Sequence, residues 1–259
     1  MPTFLFDSIV FGPVNSRRLG ISLGINLLPN DCKVCNFNCI YCECGLTFGN
    51  KLQNVIFHTR DSVHKELLIK LQTLKNNNKT INTITFAGNG EPTLHPEFAN
   101  IIDDTIKLRD KFFPGTQIAV LSNSTMLQNA SVFDALNKVE KRILKLDSVV
   151  ESTVKLLNNP PEGFSLQKVI QNLQKFNGDF TLQTLFITGE FKGKPVSNAS
   201  DNEITEWLKT VRLLKPKEVM IYTIERDTPF EGLQKVPKNK LNEIAEKVRS
   251  LGINVQISA

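Results

Sequence analysis

The chain has 259 residues, of which 41% are hydrophobic and 22% are charged, and its formal net charge is +5 at pH 7. This length and composition are those of a globular protein with a sizeable core, and no apolar run approaches the length of a membrane span. The N-terminal residues lack the basic and apolar regions of a secretory signal, and the mild charge permits an RNA or phosphate partner without requiring one. We therefore expect no membrane partner.

Strand and helix patterns alternate along the chain. Apolar residues at every second position predict a first strand at 19–28, and later strands are predicted at 80–86, 117–121, 142–146, 180–187 and 218–224. Helical spacing predicts helices at 59–76, 96–113, 131–137, 165–176, 200–214 and 238–251, and a last strand follows at 253–257.

Six strand–helix units predict parallel strands joined by right-handed crossovers, hence the α/β class. Six units are too few for a closed eightfold barrel, so the periodicity leaves a partial (β/α)6 TIM-type barrel and a doubly wound open sheet. We expect a single domain over 1–259, with a lead-in at 1–18, the six units at 19–224, and a C-terminal helix and strand at 225–259.

All five cysteines lie between Cys32 and Cys44. Their odd number and close spacing argue against a disulfide framework, and the spacing does not fit the two separated pairs of a zinc ribbon. What remains is Cys-x3-Cys-x2-Cys, formed by Cys35, Cys39 and Cys42, which predicts a metal or cluster site with thiolate ligands. Cys32 and Cys44 are either free thiols beside that site, an alternative ligand, or a redox partner. Clustered reduced cysteines fit a reducing compartment, so we expect a cytoplasmic protein.

The segment 35–42, Cys-Asn-Phe-Asn-Cys-Ile-Tyr-Cys, resembles the C-x3-C-x-(aromatic)-C signature of the radical S-adenosylmethionine (radical SAM) family. The resemblance implies a partial barrel in which three thiolates hold three irons of a [4Fe–4S] cluster and the fourth iron binds SAM. It also implies a one-electron reductant of the flavodoxin or ferredoxin type. The electron breaks a C–S bond of SAM, and the resulting 5′-deoxyadenosyl radical removes a hydrogen atom from the substrate.

The segments 12–20, 86–94 and 222–226 resemble a subgroup of uncharacterised iron–sulfur oxidoreductases similar to tRNA wyosine-synthesis enzymes. This likeness makes a tRNA base one candidate substrate. An enzyme that modifies a peptide or a small metabolite is an alternative, and so is a non-catalytic iron–sulfur or zinc binding module.

Polar and glycine residues follow the predicted strands, at the barrel end where active sites lie. By the resemblance, residues 89–91 align with the family's Gly-Gly-Glu segment, which binds the SAM amino group, and a polar pair after the third strand would contact the ribose. An aromatic residue of the cysteine loop would lie against the adenine. The implied cofactor-binding residues are Tyr41, Asn89, Gly90, Glu91, Ser122 and Asn123. Turns, caps and loop packing are the alternatives for these positions.

Lys145, Asp147 and Arg226 are the candidate catalytic residues. If Lys145 points into the barrel, it needs an anionic partner, which SAM, the substrate or Asp147 would supply. Arg226 follows the sixth strand and would bind a carboxylate or phosphate, or form a salt bridge. Arg17 and Arg18 precede the first strand, so barrel geometry predicts that they lie at the end opposite the site and are structural.

Overall fold

A computed structural model describes residues 4–47 and 55–258. Within these residues the chain forms seven α-helices and eleven strands. The strands are β1 (Val10–Ser16), β2 (Gly20–Ile25), β3 (Thr83–Phe86), β4 (Gln117–Ser122), β5 (Lys141–Lys145), β6 (Thr181–Leu185), β7 (Ile187–Phe191), β8 (Lys194–Pro195), β9 (Glu218–Tyr222), β10 (Leu233–Lys235) and β11 (Asn254–Ser258). The helices are α1 (Arg60–Asn76), α2 (Phe98–Phe112), α3 (Ala130–Asn137), α4 (Glu151–Asn158), α5 (Leu166–Gln174), α6 (Asp201–Leu214) and α7 (Lys238–Arg249). None of the described helices combines the length and the apolar character needed to cross a bilayer.

The main sheet of the described residues has eight strands in the order β1-β2-β3-β4-β5-β6-β9-β11 and is curled into a partial barrel. From β2 onward neighbouring strands are parallel, while β1 pairs antiparallel with β2 at one edge. A doubly wound sheet reverses its strand order near the middle, and this sheet does not. The predicted partial α/β barrel is confirmed, and the doubly wound alternative is wrong.

The edge strand β1 was not predicted from the sequence. Its apolar residues are interrupted by Gly12 and Pro13, and the pairing with β2 shifts register between Phe11 and Val14. Proline is tolerated on edge strands and at bulges, where no ladder hydrogen bond is lost. The irregular pattern of β1 therefore follows from its place at the edge of the sheet.

A second, three-stranded antiparallel sheet forms from β10, β7 and β8. The single strand predicted at 180–187 is divided, because β6 ends at Leu185 and β7 begins at Ile187. The side chain of Asn198 bridges this break: it accepts a hydrogen bond from the Ile187 N–H at 2.9 Å and donates to the Leu185 carbonyl at 2.7 Å. A buried amide thus satisfies the backbone groups that the break leaves unpaired.

Three groups of buried apolar side chains hold these layers together. The largest lies between the helices and the main sheet, and a small one fills the barrel interior with Leu19, Ala119, Ile143 and Met220. The third packs the cysteine loop against α4 and β7, and Tyr41 is among its members. The cysteine loop is therefore part of a packed core at the mouth of the barrel.

Candidate active site

The cysteine loop is joined to the carboxyl end of β3 by a parallel bridge between Val34 and Gly90. The Val34 N–H donates to the Asn89 carbonyl at 2.8 Å, and the Glu91 N–H donates to the Val34 carbonyl at 3.0 Å. Gly90 has a φ of +137°, and a Cβ atom there would lie 1.9 Å from the Val34 carbonyl oxygen. Glycine is required here because any side chain would prevent the loop from approaching the strand.

The other side of the cysteine loop is held by the last turn of α4, which the sequence patterns did not predict. The N–H groups of Asn38 and Ile40 donate to the carbonyls of Asn158 and Leu157, each at 2.9 Å. The Asn158 side chain also donates toward the Cys39 sulfur at 3.4 Å. The loop is therefore fixed between β3 and α4 before any ligand binds.

The three predicted ligands, Cys35, Cys39 and Cys42, line one cavity together with Cys44. Burial raises the pKa of Cys35 and of Cys39, and the charge of a neighbouring thiolate raises each pKa further. A hydrogen bond from the Cys44 thiol, aided by the ammonium of Lys33, lowers the pKa of Cys42 to about 5. The same interaction raises the pKa of Cys44, whose thiol also donates toward the Gly88 carbonyl at 3.6 Å.

Lys33 is a site residue that sequence reasoning missed. Its side chain is buried, and its ammonium donates to the Gly45 carbonyl at 2.9 Å. Burial lowers the pKa of Lys33, but the thiolates of Cys42, Cys35 and Cys39 outweigh that effect and raise it. A lysine among cysteines carries no periodic signal, and only the folded loop shows that its charge faces the thiolates.

The cavity has a volume of about 460 Å³, which is within the usual range of about 300–1,000 Å³ for ligand sites. It lies at the carboxyl ends of the parallel strands, as predicted. Gly90 and Glu91 line it from the end of β3, Ser122 from β4, Lys145 from β5 and Tyr222 from β9. The barrel thus brings the cysteine loop and several strand ends to one chamber.

Glu91 connects the ends of β3 and β4. Its buried carboxylate accepts hydrogen bonds from the N–H of Asn123 at 2.6 Å and from the N–H of Thr93 at 3.1 Å. Burial raises the pKa of Glu91 despite these bonds. The Asn123 side chain donates to Asn36 at 2.7 Å and lies 3.6 Å from the Cys35 sulfur. The predicted residues Glu91 and Asn123 therefore form one network with the cysteine loop.

Asn89 differs from its neighbours, because its side chain turns away from the cavity. The amide donates to the carbonyls of Phe6 and Pro29 at 2.9 and 2.8 Å and accepts from the Phe6 N–H at 2.8 Å. Its backbone carbonyl accepts from the Val34 N–H and keeps a second lone pair. The side chain of Asn89 therefore has a structural role, and a cofactor contact by its backbone carbonyl stays a prediction.

Lys145 points into the cavity, which is the inward orientation considered in the sequence analysis. Its ammonium lies 3.0 Å from Asp147 Oδ1 and 3.2 Å from the Tyr222 hydroxyl. Burial lowers the pKa of Lys145, but the charge of Asp147 outweighs that effect and raises it. An ammonium has three donors, so these contacts leave one for a ligand in the cavity.

Asp147 lies beneath Lys145 and does not line the main cavity. Its side chain is 0% exposed, and its carboxylate accepts from the Tyr41 hydroxyl, from the Asn158 amide at 2.8 Å and from the Leu185 N–H at 3.0 Å. These contacts favour a positioning role for Asp147 toward Lys145 and Tyr41, and its catalytic role stays a prediction.

The arginines are placed differently from the prediction. Arg17 and Arg18, expected at the far end of the barrel, line the cavity that contains the cysteines. The turn between β1 and β2 reaches the opposite edge of the sheet, where Gln256 of β11 donates to the Arg17 carbonyl at 3.4 Å. Arg226 lines the cavity, is 60% exposed and pairs with Glu43 at 3.2 Å, and its contact with a ligand stays a prediction. Strand order alone did not reveal that this turn spans the open side of the barrel.

Comparison with known protein families decides the assignment. The model of the Radical SAM superfamily matches residues 30–196, which include the cysteine loop and the barrel strands β3 to β6. The chain belongs to the radical SAM superfamily. Membership supports SAM-dependent radical chemistry and leaves the substrate open.

Two relatives of this radical SAM protein align over most of its chain. A UPF0026 protein from Methanocaldococcus jannaschii is 30% identical over 235 residues, which are 89% of this chain and 68% of the relative. A protein described as GTPase Obg from Brachyspira hyodysenteriae is 29% identical over 252 residues, and the chain spans 34% of that relative's length.

Solved structures of radical SAM proteins share the fold. A radical SAM methyltransferase from Sphaerobacter thermophilus matches with a TM-score of 0.68 at 16% identity, over 92% of this chain and 65% of that one. A structure described as TYW1 with a lysine–pyruvate adduct bound matches with a TM-score of 0.60 at 12% identity, over 88% of this chain and 73% of that one. At these identities the similarity establishes the fold alone.

The residues around the cavity fit the iron–sulfur cluster and SAM that radical SAM membership implies. Cys35, Cys39 and Cys42 offer soft sulfur donors on one side of the cavity, and the buried charge of Lys33 faces them. The end of β3 offers polar groups beside the same sulfurs, through Glu91. The cysteine sulfurs and the polar end of β3 therefore share one chamber.

Proposed function

We propose that this chain is a radical SAM enzyme that cleaves S-adenosylmethionine reductively at a [4Fe–4S] cluster and abstracts a hydrogen atom from a substrate. The observation that carries the proposal is the common cavity of Cys35, Cys39 and Cys42 and the ends of the parallel strands. When bound, the cluster supplies one-electron cleavage of SAM to methionine and a 5′-deoxyadenosyl radical. The residues of the chain hold the reactants in place and exclude water and other hydrogen donors.

The proposed ligands leave one iron without a protein sulfur. Cys35, Cys39 and Cys42 would each hold one iron, and Cys44, whose thiol donates toward the Gly88 carbonyl at 3.6 Å, would stay outside the ligand set. Lys33 contributes a buried positive charge that offsets the negative charge of three thiolates. A cluster held by four cysteines would offer no such open iron.

The proposed SAM site follows the cavity wall from β3 to β4. Gly90 and Glu91 would contact the amino group, and Ser122 and Asn123 would contact the ribose; all four line the cavity. The ring of Tyr41 also lines the cavity and is the proposed contact for the adenine. Hydrogen bonds from Asn123 and Thr93 hold the Glu91 carboxylate in place, which supports a preformed site.

Lys145 is the proposed contact for an anionic group of SAM or substrate, through its remaining donor. One solved relative is described with a lysine–pyruvate adduct, but we do not extend that chemistry to Lys145. Asp147 at 3.0 Å holds Lys145 as an ammonium ion, whose nitrogen has no lone pair with which to attack a carbonyl. Lys145 is therefore proposed as an electrostatic anchor.

The proposed partners are a one-electron reductant of the flavodoxin or ferredoxin type and a substrate that is either a small molecule or a tRNA base. The tRNA option rests on sequence resemblance, and a non-catalytic binding module is the alternative class. The cytoplasm is the proposed location, because a reducing compartment keeps five clustered thiols available for the cluster.

The experiment that tests this function is reductive cleavage of SAM by the wild-type protein. The protein is reconstituted anaerobically with iron and sulfide and then incubated with dithionite and SAM. We expect 5′-deoxyadenosine and methionine in equal amounts by chromatography, and none without dithionite. A fully loaded iron–sulfur protein that forms no 5′-deoxyadenosine would support the binding-module alternative.

A further inference from the structure

Arg18 is a cavity-lining cation whose guanidinium lacks a complete set of partners. Its guanidinium carbon lies 4.9 Å from the centroid of the Tyr222 ring. Its Nη1 atom is buried, and within residues 4–47 and 55–258 it has no hydrogen-bond partner. A buried N–H group without an acceptor is unfavourable, and native proteins rarely retain one without a ligand, ion or water to bind it.

The other cavity arginines and Lys145 contrast with Arg18, because each has a carboxylate partner. Arg17 pairs with Glu225 at 3.5 Å. Arg226 pairs with Glu43, and Lys145 pairs with Asp147. Among the described residues no such carboxylate lies within salt-bridge distance of Arg18, so its charge is available to a ligand.

The position of Arg18 determines where that ligand has to bind. Leu19, the next residue, packs in the barrel interior against Ala119, Ile143 and Met220. Arg18 lines the cavity, and its Nη1 atom is buried there. A ligand that pairs with the buried Nη1 atom has to enter the barrel, whereas RNA phosphates bind exposed basic surfaces.

We propose that Arg18 binds an oxyanion, a carboxylate or a phosphate, on a small-molecule substrate held inside the barrel. This inference rests on the proposed function, because the anion would fix the substrate beside the SAM site. Arginine suits this task because its planar fork pairs with both oxygens of a carboxylate or phosphate. Stacking on the ring of Tyr222 holds the fork in one orientation.

The test is calorimetric titration of the reconstituted, SAM-loaded protein with succinate, with inorganic phosphate and with neutral succinamide. We expect an anion to bind the wild-type protein, and Arg18→Gln to weaken that binding about tenfold to a hundredfold. Arg18→Lys keeps the charge but lacks the planar fork of arginine, so its affinity for the anion should lie between those of the wild type and Arg18→Gln. Arg17→Gln removes the same charge from the adjacent, already paired residue and should change the affinity by less than about twofold.

The probes distinguish the two sources of the oxyanion. Binding of succinate alone identifies a carboxylate, and binding of phosphate alone identifies a phosphate. The inference is overturned if neither anion binds, if succinamide binds as tightly, or if Arg18→Gln binds as well as the wild type. It is also overturned if only unmodified tRNA binds in an Arg18-dependent way.

Two controls keep the outcome decisive. If the Arg18 variants do not load iron, a crystal structure of the wild-type protein with succinate replaces them: succinate at Arg18 supports the inference, and succinate elsewhere overturns it. Formation of 5′-deoxyadenosine by the wild type without anion binding means that this inference alone fails. Absence of 5′-deoxyadenosine means that the proposed function fails.

Discussion

Replacing Cys39 with alanine is expected to remove most of the bound iron, whereas replacing Cys44 with alanine is expected to leave it in place. Cys39 is buried, lines the cavity and receives a hydrogen bond from Asn158, as befits a ligand. Its loss leaves an iron without its protein sulfur. The measurement is iron and sulfide per chain after anaerobic reconstitution, about four of each for an intact [4Fe–4S] cluster, together with the visible absorption spectrum.

Cys44 is the matched control because it lies in the same loop and lines the same cavity. Its thiol donates toward the Gly88 carbonyl at 3.6 Å, so Cys44→Ala should leave the iron content unchanged. Cys32→Ala is a second control. Equal iron loss in Cys44→Ala and Cys39→Ala would make Cys44 a fourth ligand and leave no iron for SAM.

Replacing Asp147 with asparagine is expected to lower the free energy of unfolding by about 3–5 kcal/mol, because it leaves the ammonium of Lys145 buried without its charge partner. For a domain of this size that loss lowers Tm by roughly 10 °C. The same change disturbs the hydrogen bonds from Tyr41 and Asn158 that fix the cysteine loop. Thermal unfolding of the cluster-free protein under reducing conditions measures the effect without interference from iron loss.

Two variants separate loss of the buried ion pair from a general effect of removing charge. Glu151→Gln removes an exposed carboxylate from the pair with Lys155 and should leave Tm unchanged within error. The double variant Lys145→Met with Asp147→Asn removes both charges and should recover part of the lost stability. If Asp147→Asn unfolds at the wild-type Tm, the buried ion pair does not stabilise this barrel.

The parallel core of the barrel could be predicted because its strands and helices have regular apolar periods. The strand predicted at 117–121 corresponds to β4, and the helix predicted at 200–214 corresponds to α6, whose N-cap is Ser200. The missing elements lack such periods. Helix α4 spans eight residues with few apolar positions. Its sequence signals were Glu151 and Lys155 four positions apart, which form an ion pair, and Asn159 before two prolines, where the backbone is left-handed.

The cysteine ligands could be predicted because their spacing is local in sequence. The residues around them could not, since their roles arise from distant segments that meet only in the fold. Arg18 reaches the cavity because the turn between β1 and β2 crosses to β11, and Asn158 reaches Cys39 from 119 positions along the chain. Asn89 aligns with the family motif, but its side chain donates to the carbonyls of Phe6 and Pro29 and turns away from the cavity. No local sequence pattern indicates those contacts.

The most direct measurement is the pulsed ENDOR spectrum of the reduced wild-type protein with SAM that carries ¹⁵N in its amino group and ¹⁷O in its carboxylate. We expect both labels to couple to the cluster, because Cys35, Cys39 and Cys42 leave one iron open to those groups. The same couplings should persist in Cys44→Ala. Bound SAM with neither label coupled would mean that protein ligands occupy every iron, which would contradict an open iron in this cavity.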